Sequence, residues 1–382
     1  MEKRLFPNIG REISLLGFGL MRLPLTDDNP KNIDYPLAEK MVDRALAGGI
    51  NYFDTAYVYH EGQSEVFAGK TLSRHPRDSY NLATKMPTWM LQSLDQAKEI
   101  FHEQLQKLRT DRLDFYLVHN LTTDSFKIHE KIGLYKFLRQ MKDEGVIKFL
   151  GFSMHDSPEH LALLLSRYEW DFVQIQLNYI DWTDLKSGEL YRQLAEKRIP
   201  SIIMEPVRGG ALARLPHDAA DTLKNFNDSV SQASWAVRYA ASLPGVMTVL
   251  SGMTLPEHLE DNLKAFEKFK PLNDEERKVL DAAAEKFRLA NPIPCTGCGY
   301  CMECAQGVNI PVNLSVFNQY HAILRETPGV ASIVFDNIYR ALQDKEKADK
   351  CVACEDCLPL CPQKIAIPEQ LKKIVELCQS IS

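Results

Sequence analysis

Of the nine cysteines in this 382-residue chain, eight fall in two bursts, CTGCGYCMEC at 295–304 and CVACEDCLPLCP at 351–362. Cys295, Cys298 and Cys301 are three apart, as are Cys351, Cys354 and Cys357. Triplets at that spacing gather several thiolates on one short loop, which is metal-ligand chemistry. Structural zinc prefers cysteine pairs set far apart. Disulfides suit short secreted chains, and MEKRLFPN turns polar too soon for a secretory signal. Cys378 stands apart in LKKIVELCQSI, at helical spacing with Ile374 and Leu377, and reads as a small core residue.

The second burst, C-x2-C-x2-C-x3-C-P, resembles the pattern of bacterial ferredoxins. There three close thiolates grip one [4Fe–4S] cube and the fourth ligates the other. That resemblance implies two clusters, one held by Cys295, Cys298, Cys301 and Cys361, the other by Cys351, Cys354, Cys357 and Cys304. The first burst departs from it, with two residues before Cys304 and Ala305 where proline is usual.

A different set of reactive residues punctuates the front of the chain. Short apolar runs end in Asp54, Lys85, His119, Ser153, Gln174 and Glu205, and Tyr59 follows Asp54 by five residues. A hydride added to a carbonyl carbon leaves charge on oxygen that an acid must neutralise. Tyr59 is a candidate donor, although a phenol near its usual pKa of ~10 gives up its proton reluctantly. A Lys85 ammonium would stabilise the phenolate, Asp54 would keep that ammonium charged, and His119 would orient the carbonyl oxygen.

These residues need elements to gather them. Strand candidates are SLLGFG (14–19), INYFD (50–54), YNLATK (80–85), LDFYLVH (113–119), VIKFLGFS (146–153), DFVQIQLN (171–178), PSIIMEP (200–206) and VMTVLSG (246–252). Amphipathic stretches lie between them. Gly48 and Gly49 stop YPLAEKMVDRALAGG, and Ser157-Pro158 opens the helix after the fifth strand. Eight strands alternating with helices predict an α/β fold, a (β/α)8 TIM barrel. No G-x-G-x-x-G follows the first strand, which argues against a doubly wound sheet. In a barrel all eight strand C-termini face one mouth, where the polar residues above would converge.

Ordered along the chain, these segments resemble the aldo-keto reductases: FDTAYVYHEGQSE (53–65), ATK (83–85), DRLDFYLVHN (111–120), GVIKFLGFS (145–153), VQIQLN (173–178) and EDN (260–262). With the cysteine-rich tail, the chain resembles the branch carrying a C-terminal ferredoxin-type domain. The resemblance implies NADP or NAD bound without a Rossmann unit, and a catalytic tetrad of Asp54, Tyr59, Lys85 and His119. It implies carboxamide contacts from Ser153 and Gln174, and places Gly19 to Met21 beside the nicotinamide. Arg208 to Gly210 would cover the pyrophosphate; Gly252, Thr254, His258, Asp261 and Asn262 would hold the adenosine part. Met204 stands where a stacking tyrosine is frequent, and Met154, followed by His155, replaces an asparagine. Gly252 and His258 replace the basic pair that grips a 2′-phosphate, so the choice between NADPH and NADH stays open.

LNDEERKVLDAAAEKFRLANPIP (272–294) reads as a helix ending at a seam, dividing a barrel at 1–285 from a small, mainly helical ferredoxin-like domain at 286–382. A net charge of −6 with mixed signs offers no basic patch for nucleic acid. No apolar run approaches the ~20 residues that span a bilayer. A cytoplasmic location is the expectation, and oligomeric state is unread. The partner expected is a small-molecule carbonyl or alcohol substrate. Two alternatives stay open: relay of single electrons through the clusters to or from a ferredoxin-like carrier, and a nicotinamide-binding redox sensor with little turnover.

Overall fold

A computed structural model describes residues 1–302 and 304–381. Two strands precede the barrel, β1 (Lys3–Leu5) and β2 (Glu12–Ser14), paired antiparallel. The barrel strands are β3 (Leu16–Gly19), β4 (Tyr52–Asp54), β5 (Asn81–Pro87), β6 (Leu113–His119), β7 (Ile147–Met154), β8 (Phe172–Gln176), β9 (Ser201–Met204) and β10 (Val246–Gly252). All pair parallel in chain order, and β10 closes on β3. This is the expected (β/α)8 barrel, with strands buried on both faces and therefore almost wholly apolar.

Helix ends follow local chemistry. Asp34 accepts from the Leu37 N–H at 3.1 Å and Ser157 from the His160 N–H at 3.2 Å, each capping a helix with proline in its first turn. The helix Tyr35–Ala47 stops at Gly48, and Gly49 takes φ +89°.

The β1–β2 hairpin was not foreseen. Ile9 and Ile13 pack with Tyr52, Phe115, Phe149, Phe172, Ile202 and Met247, and so stopper the end of the barrel where the strands begin. The Arg4 guanidinium pins the hairpin, donating to the carbonyls of Ala241, Leu243 and Val246 at 2.6–2.9 Å.

The chain forms two compact units, one of Met1–Pro206 with Ala236–Leu272, the other of Val207–Trp235 with Asn273–Ser382. The second unit is helical, with Asp274–Ala290, Ile310–Glu326, Pro328–Ala341 and Ile367–Ile381 as its longest elements. Leu314, Phe317, Phe335, Ile367, Leu371 and Ile374 form its core. Cys378 is half-buried against that core and hydrogen-bonded with the Tyr339 hydroxyl. The excursion 207–235 is held to the tail by polar contacts. Lys286 Nζ donates to the Asp218 carbonyl at 3.1 Å and to Thr222 Oγ1 at 2.7 Å, and Arg325 pairs with Asp218 at 3.2 Å. No helix of the described residues is long and apolar enough to cross a membrane.

Gly209 marks the tightest approach in this second unit. At φ +64° it lies so close to Thr296 that a Cβ would sit 1.8 Å from the Thr296 carbonyl oxygen. Gly133 has φ +69° but open space around it. Gly133→Ala should therefore cost about 1 kcal/mol from backbone strain alone. Gly209→Ala should cost about 2–4 kcal/mol, because packing strain adds to it. Thermal midpoints of both variants read the difference.

Candidate active site and cysteine recesses

Asp54 and His119 are the last residues of β4 and β6, and Lys85 lies near the end of β5. Tyr59 opens the turn after β4, a turn tightened by left-handed His60 (φ 52°) and Glu61 (φ 49°). Asn120 after β6 and Glu205 after β9 are also left-handed, at φ 47° and 56°. Four of the barrel's left-handed residues thus follow the strand ends that carry the reactive groups, while Arg109 and Arg198 lie before β6 and β9.

Lys85 is fully buried and its ammonium faces three oxygens: Asp54 Oδ1 at 2.5 Å, the Thr55 carbonyl at 2.7 Å and Tyr59 Oη at 3.4 Å. An ammonium has three protons, so each donor finds an acceptor. It also lies 4.8 Å from the centre of the Tyr59 ring. Burial pulls the Lys85 pKa down and pushes that of Asp54 up, and each is opposed by the charge of the other. The Tyr59 and His119 rings meet edge to face, centroids 5.9 Å apart.

One sequence expectation changes here. Lys85 was expected to make the phenol acidic, but burial raises the Tyr59 pKa well above its usual value. Asp54 and Glu205 push it further up, and only Arg22 among the causes acts downward. The physical reason is first the burial of the phenol, which penalises its charged form, and then the Asp54 carboxylate, which lies 2.5 Å from Lys85 and acts against the ammonium. Tyr59 therefore rests protonated, as a proton donor must. His119 is held well below its usual pKa by burial, with Lys85 and His155 adding to the effect. It is neutral, and its Nδ1 is buried without a hydrogen-bond partner.

Beneath the lysine is a buried polar brace. Gln104 Nε2 donates to the Lys85 carbonyl at 2.9 Å and to Glu65 Oε1 at 2.7 Å, and Thr84 donates to the same Glu65 oxygen at 2.5 Å. Tyr116 donates to Gln104 Oε1 at 2.6 Å.

The residues assigned to nicotinamide fall into groups. Ser153 and Gln174 face each other in register on β7 and β8. Ser153 Oγ accepts from the Asn120 N–H at 2.9 Å. The Gln174 amide touches Met204 Sδ at 3.4 Å, and its Oε1 is buried with no hydrogen-bond partner. Gly19 pairs with Gly252 on one side and Asp54 on the other, and Met21 lies in the turn just beyond. Thr254 donates to the Arg22 carbonyl at 2.9 Å. His258 and Asp261 lie in the first turns of the helix Pro256–Glu267, with His258 Nδ1 accepting from the Leu255 N–H at 3.4 Å. Asn262 donates to Ser251 at 2.9 Å, which leaves its buried Oδ1 without a hydrogen-bond partner. Arg208 and Gly210 fold within the second unit, where the Arg208 guanidinium lies 5.7 Å from the Phe287 ring centre. The orphaned acceptor of Gln174 suits the N–H donors of a carboxamide.

The cysteines line two recesses in the second unit. Cys295, Cys298, Cys301 and Cys361 border one of about 300 Å³, beside Pro311, Leu314, Ile365 and Ile367. Cys304, Cys351, Cys354 and Cys357 border another of about 490 Å³, which Cys301 also touches. Burial pushes the Cys301 thiol up to about 12, with Cys298, Cys295 and Cys361 adding to it. Cys357 is likewise raised by burial, then by Cys351, Cys354 and Cys304. Four thiolates crowded into a partly apolar recess repel one another unless iron neutralises them. The Gly297 N–H points to Cys295 Sγ at 3.4 Å, a contact of the kind that tunes cluster sulfur.

Residues 15–285 match the aldo/keto reductase family. The chain belongs to that family. Residues 294–367 match the 4Fe-4S dicluster domain. The chain is 27% identical to an uncharacterised oxidoreductase of Bacillus subtilis, a match covering 74% of this chain and 96% of that one. It is 24% identical to L-galactose dehydrogenase of Arabidopsis thaliana, covering 74% and 94%. An aldo-keto reductase of Bacillus halodurans in its holo form superposes with a TM-score of 0.59 at 27% identity, covering 74% and 96%. The protein is an NAD(P)-dependent oxidoreductase of the aldo-keto reductase type, with a tail of the 4Fe-4S type.

Two neighbours of the reductase site, Trp89 and Arg22, were not singled out from sequence. Trp89, exposed on the loop after β5, lies 5.0 Å from the His119 ring centre. Arg22 follows directly on Gly19–Met21, and its charge reaches the phenol. His155, noted in the sequence beside Met154, is held at about 4 by burial and hydrogen-bonded with Gln176.

Because Asp54 and Lys85 are buried together, Asp54→Asn should destabilise the fold by about 3–5 kcal/mol. Adding Lys85→Met to Asp54→Asn should recover most of that loss, since no buried charge is then left alone. Urea midpoints of the single and double variants measure the recovery.

Proposed function

We propose that the barrel interconverts an aldehyde or ketone and the corresponding alcohol, with Tyr59 as proton donor. The observation that supports this most directly is the buried Lys85 ammonium, shared between Asp54, Thr55 and Tyr59 Oη. Because Lys85 donates to Oη, the phenol's own proton is free to point at a substrate oxygen. Neutral His119 presents a polar ring edge beside it, able to hold the carbonyl oxygen without competing as an acid. NADP or NAD, when bound, supplies or takes the hydride at the carbonyl carbon. Ser153 and Gln174 would hold its carboxamide, and the loop and helix from Gly252 to Asn262 its adenosine part.

In the reduction, C=O gains a hydride at carbon and the Tyr59 proton at oxygen, and one alcohol results. The phenolate left behind faces Lys85, which stabilises it until solvent returns a proton. For alcohol oxidation the same groups act in reverse.

We read the tail as holding two [4Fe–4S] clusters, one in each recess, with the functional division of the chain at 285/286. Cys354 is exposed among exposed Val352 and Leu360, which favours a second reading for the tail. In it, the second recess exchanges single electrons with a ferredoxin-like carrier. EPR after adding NAD(P)H or reduced ferredoxin to anaerobic protein decides: cluster reduction supports relay, and an unchanged spectrum leaves the clusters structural.

Tyr59→Phe should lower kcat for carbonyl reduction at least ~100-fold while nicotinamide still binds. Retained turnover would refute the assignment. The low pKa of His119 sets the sign of the pH dependence. Since it is already neutral at pH 6.5, kcat/KM should not fall as the medium is acidified from pH 8 to 6. A pH–rate profile checks this.

A further inference from the structure

Behind Lys85 two helices meet too closely for a side chain to stand between them. A Cβ at Gly69, in the helix Gln63–Leu72, would sit 2.1 Å from the Lys107 carbonyl oxygen and 2.7 Å from the backbone of Leu108. The bare glycine lets that helix lie against the end of the helix Leu94–Lys107. Glu65 of the first helix thereby meets Gln104 of the second, and both are wholly buried. Tyr116 fixes the orientation of Gln104, because its hydroxyl donates to Gln104 Oε1 at 2.6 Å. Gln104 Nε2 then donates to the Lys85 carbonyl at 2.9 Å and to Glu65 Oε1 at 2.7 Å. Thr84, the residue before Lys85, donates to the same Glu65 oxygen at 2.5 Å.

Two donors aimed at one oxygen, and a place in the first turn of a helix, favour a carboxylate over the acid. Burial works against them and raises the Glu65 pKa, while Thr84, Gln104 and Lys107 act downward. The second oxygen, Oε2, is buried with no hydrogen-bond partner among the described residues, so only a nearby cation can answer its charge. Few groups are available. Lys107 is already paired with Glu103 at 2.7 Å. Tyr57 and Tyr116, both raised by burial, are neutral, as are Tyr59 and His119 on the far side of the lysine. Lys85 remains. Burial pulls its pKa down, and Asp54 first and then Glu65 hold it up.

We propose that Glu65 is a positioning residue for the reduction, a second buried carboxylate that keeps Lys85 an ammonium at alkaline pH. The proposal rests on the reading of Lys85 as the cation that serves Tyr59. A lysine and an aspartate in dry contact can neutralise each other by passing one proton across. A negative charge behind the lysine opposes that transfer, because it stabilises the proton on nitrogen more than on the Asp54 oxygen. The field has that sense here: Glu65 acts on Lys85, whereas Lys85 is the charge that acts on Asp54. Gln104 adds a mechanical link, since one amide group holds both the Lys85 backbone and the Glu65 carboxylate. Glu65 acts through Lys85, and no proton or hydride passes through it.

The test follows Lys85 by heteronuclear NMR of full-length protein, prepared anaerobically and labelled at lysine Nζ. Glu65→Gln keeps both accepted hydrogen bonds and removes the charge. In it Lys85 should lose its proton at a pH roughly 1 lower than in wild type. The alkaline limb of kcat/KM for butanal reduction should move down with it, and Glu65→Asp should bring both back towards wild type. An unchanged Lys85 titration in Glu65→Gln overturns the proposal, whatever the variant does to stability. If the titration moves and the rate profile does not, Glu65 holds the ammonium as proposed and the reading of Lys85 as the cation for Tyr59 fails instead. Should butanal not be turned over, the titration alone decides. Should Glu65→Gln not fold, wild type labelled at glutamate Cδ decides at pH 7.5. An ionised Glu65 supports the proposal, and a protonated one overturns it.

Discussion

A single ammonium buried at the barrel mouth sets the terms for the rest of the site. Lys85 has no solvent, so it stays charged only if its donors are met by the protein. Asp54 supplies the charge, the Thr55 carbonyl and Tyr59 Oη the other acceptors. That arrangement fixes β4 against β5, places the phenol, and decides which way the phenol's proton can point. It also explains why the polar brace of Gln104, Glu65, Thr84 and Tyr116 lies directly behind the lysine. A buried network of this kind is stable only when its members are held in register.

The same economy of charge separates the resting site from its working state. With Asp54 so close, Lys85 does little to acidify Tyr59 at rest, and burial keeps the phenol protonated. In the reaction proposed above, stabilisation of the phenolate would matter once the proton had left, when a full negative charge would sit 3.4 Å from the ammonium. A preorganised cation that favours the charge-developed state over the ground state lowers the barrier. In the second unit the logic is reversed. There the protein concentrates thiols whose crowding disfavours their thiolates, and a metal centre would supply the positive charge those thiolates need.

Much of this was legible in the sequence because the barrel writes its plan locally. Each strand is an apolar run, and its last polar residue marks the mouth, so Asp54, Lys85, His119, Ser153 and Gln174 could be placed on the correct ends. The cysteine triplets were equally plain. The β1–β2 hairpin was not, since KRL and EIS are too short and too charged to stand out, and the burial of Ile13 comes mostly from strands far along the chain. Nor could sequence show that 207–235 packs with the tail. That follows from Gly209 against Thr296 and Lys286 against Thr222, contacts between segments more than sixty residues apart. Arg22 was passed over because a single arginine after a glycine turn carries no signal until its charge is seen to reach the phenol.

The account stands on the charge state of Lys85. Heteronuclear NMR of protein labelled at lysine Nζ, recorded near pH 7.5, observes it directly. The account predicts an ammonium, with three nitrogen-bound protons slow to exchange with water. A neutral amine at that pH would contradict it, because nothing would then hold the Tyr59 oxygen or stabilise its phenolate.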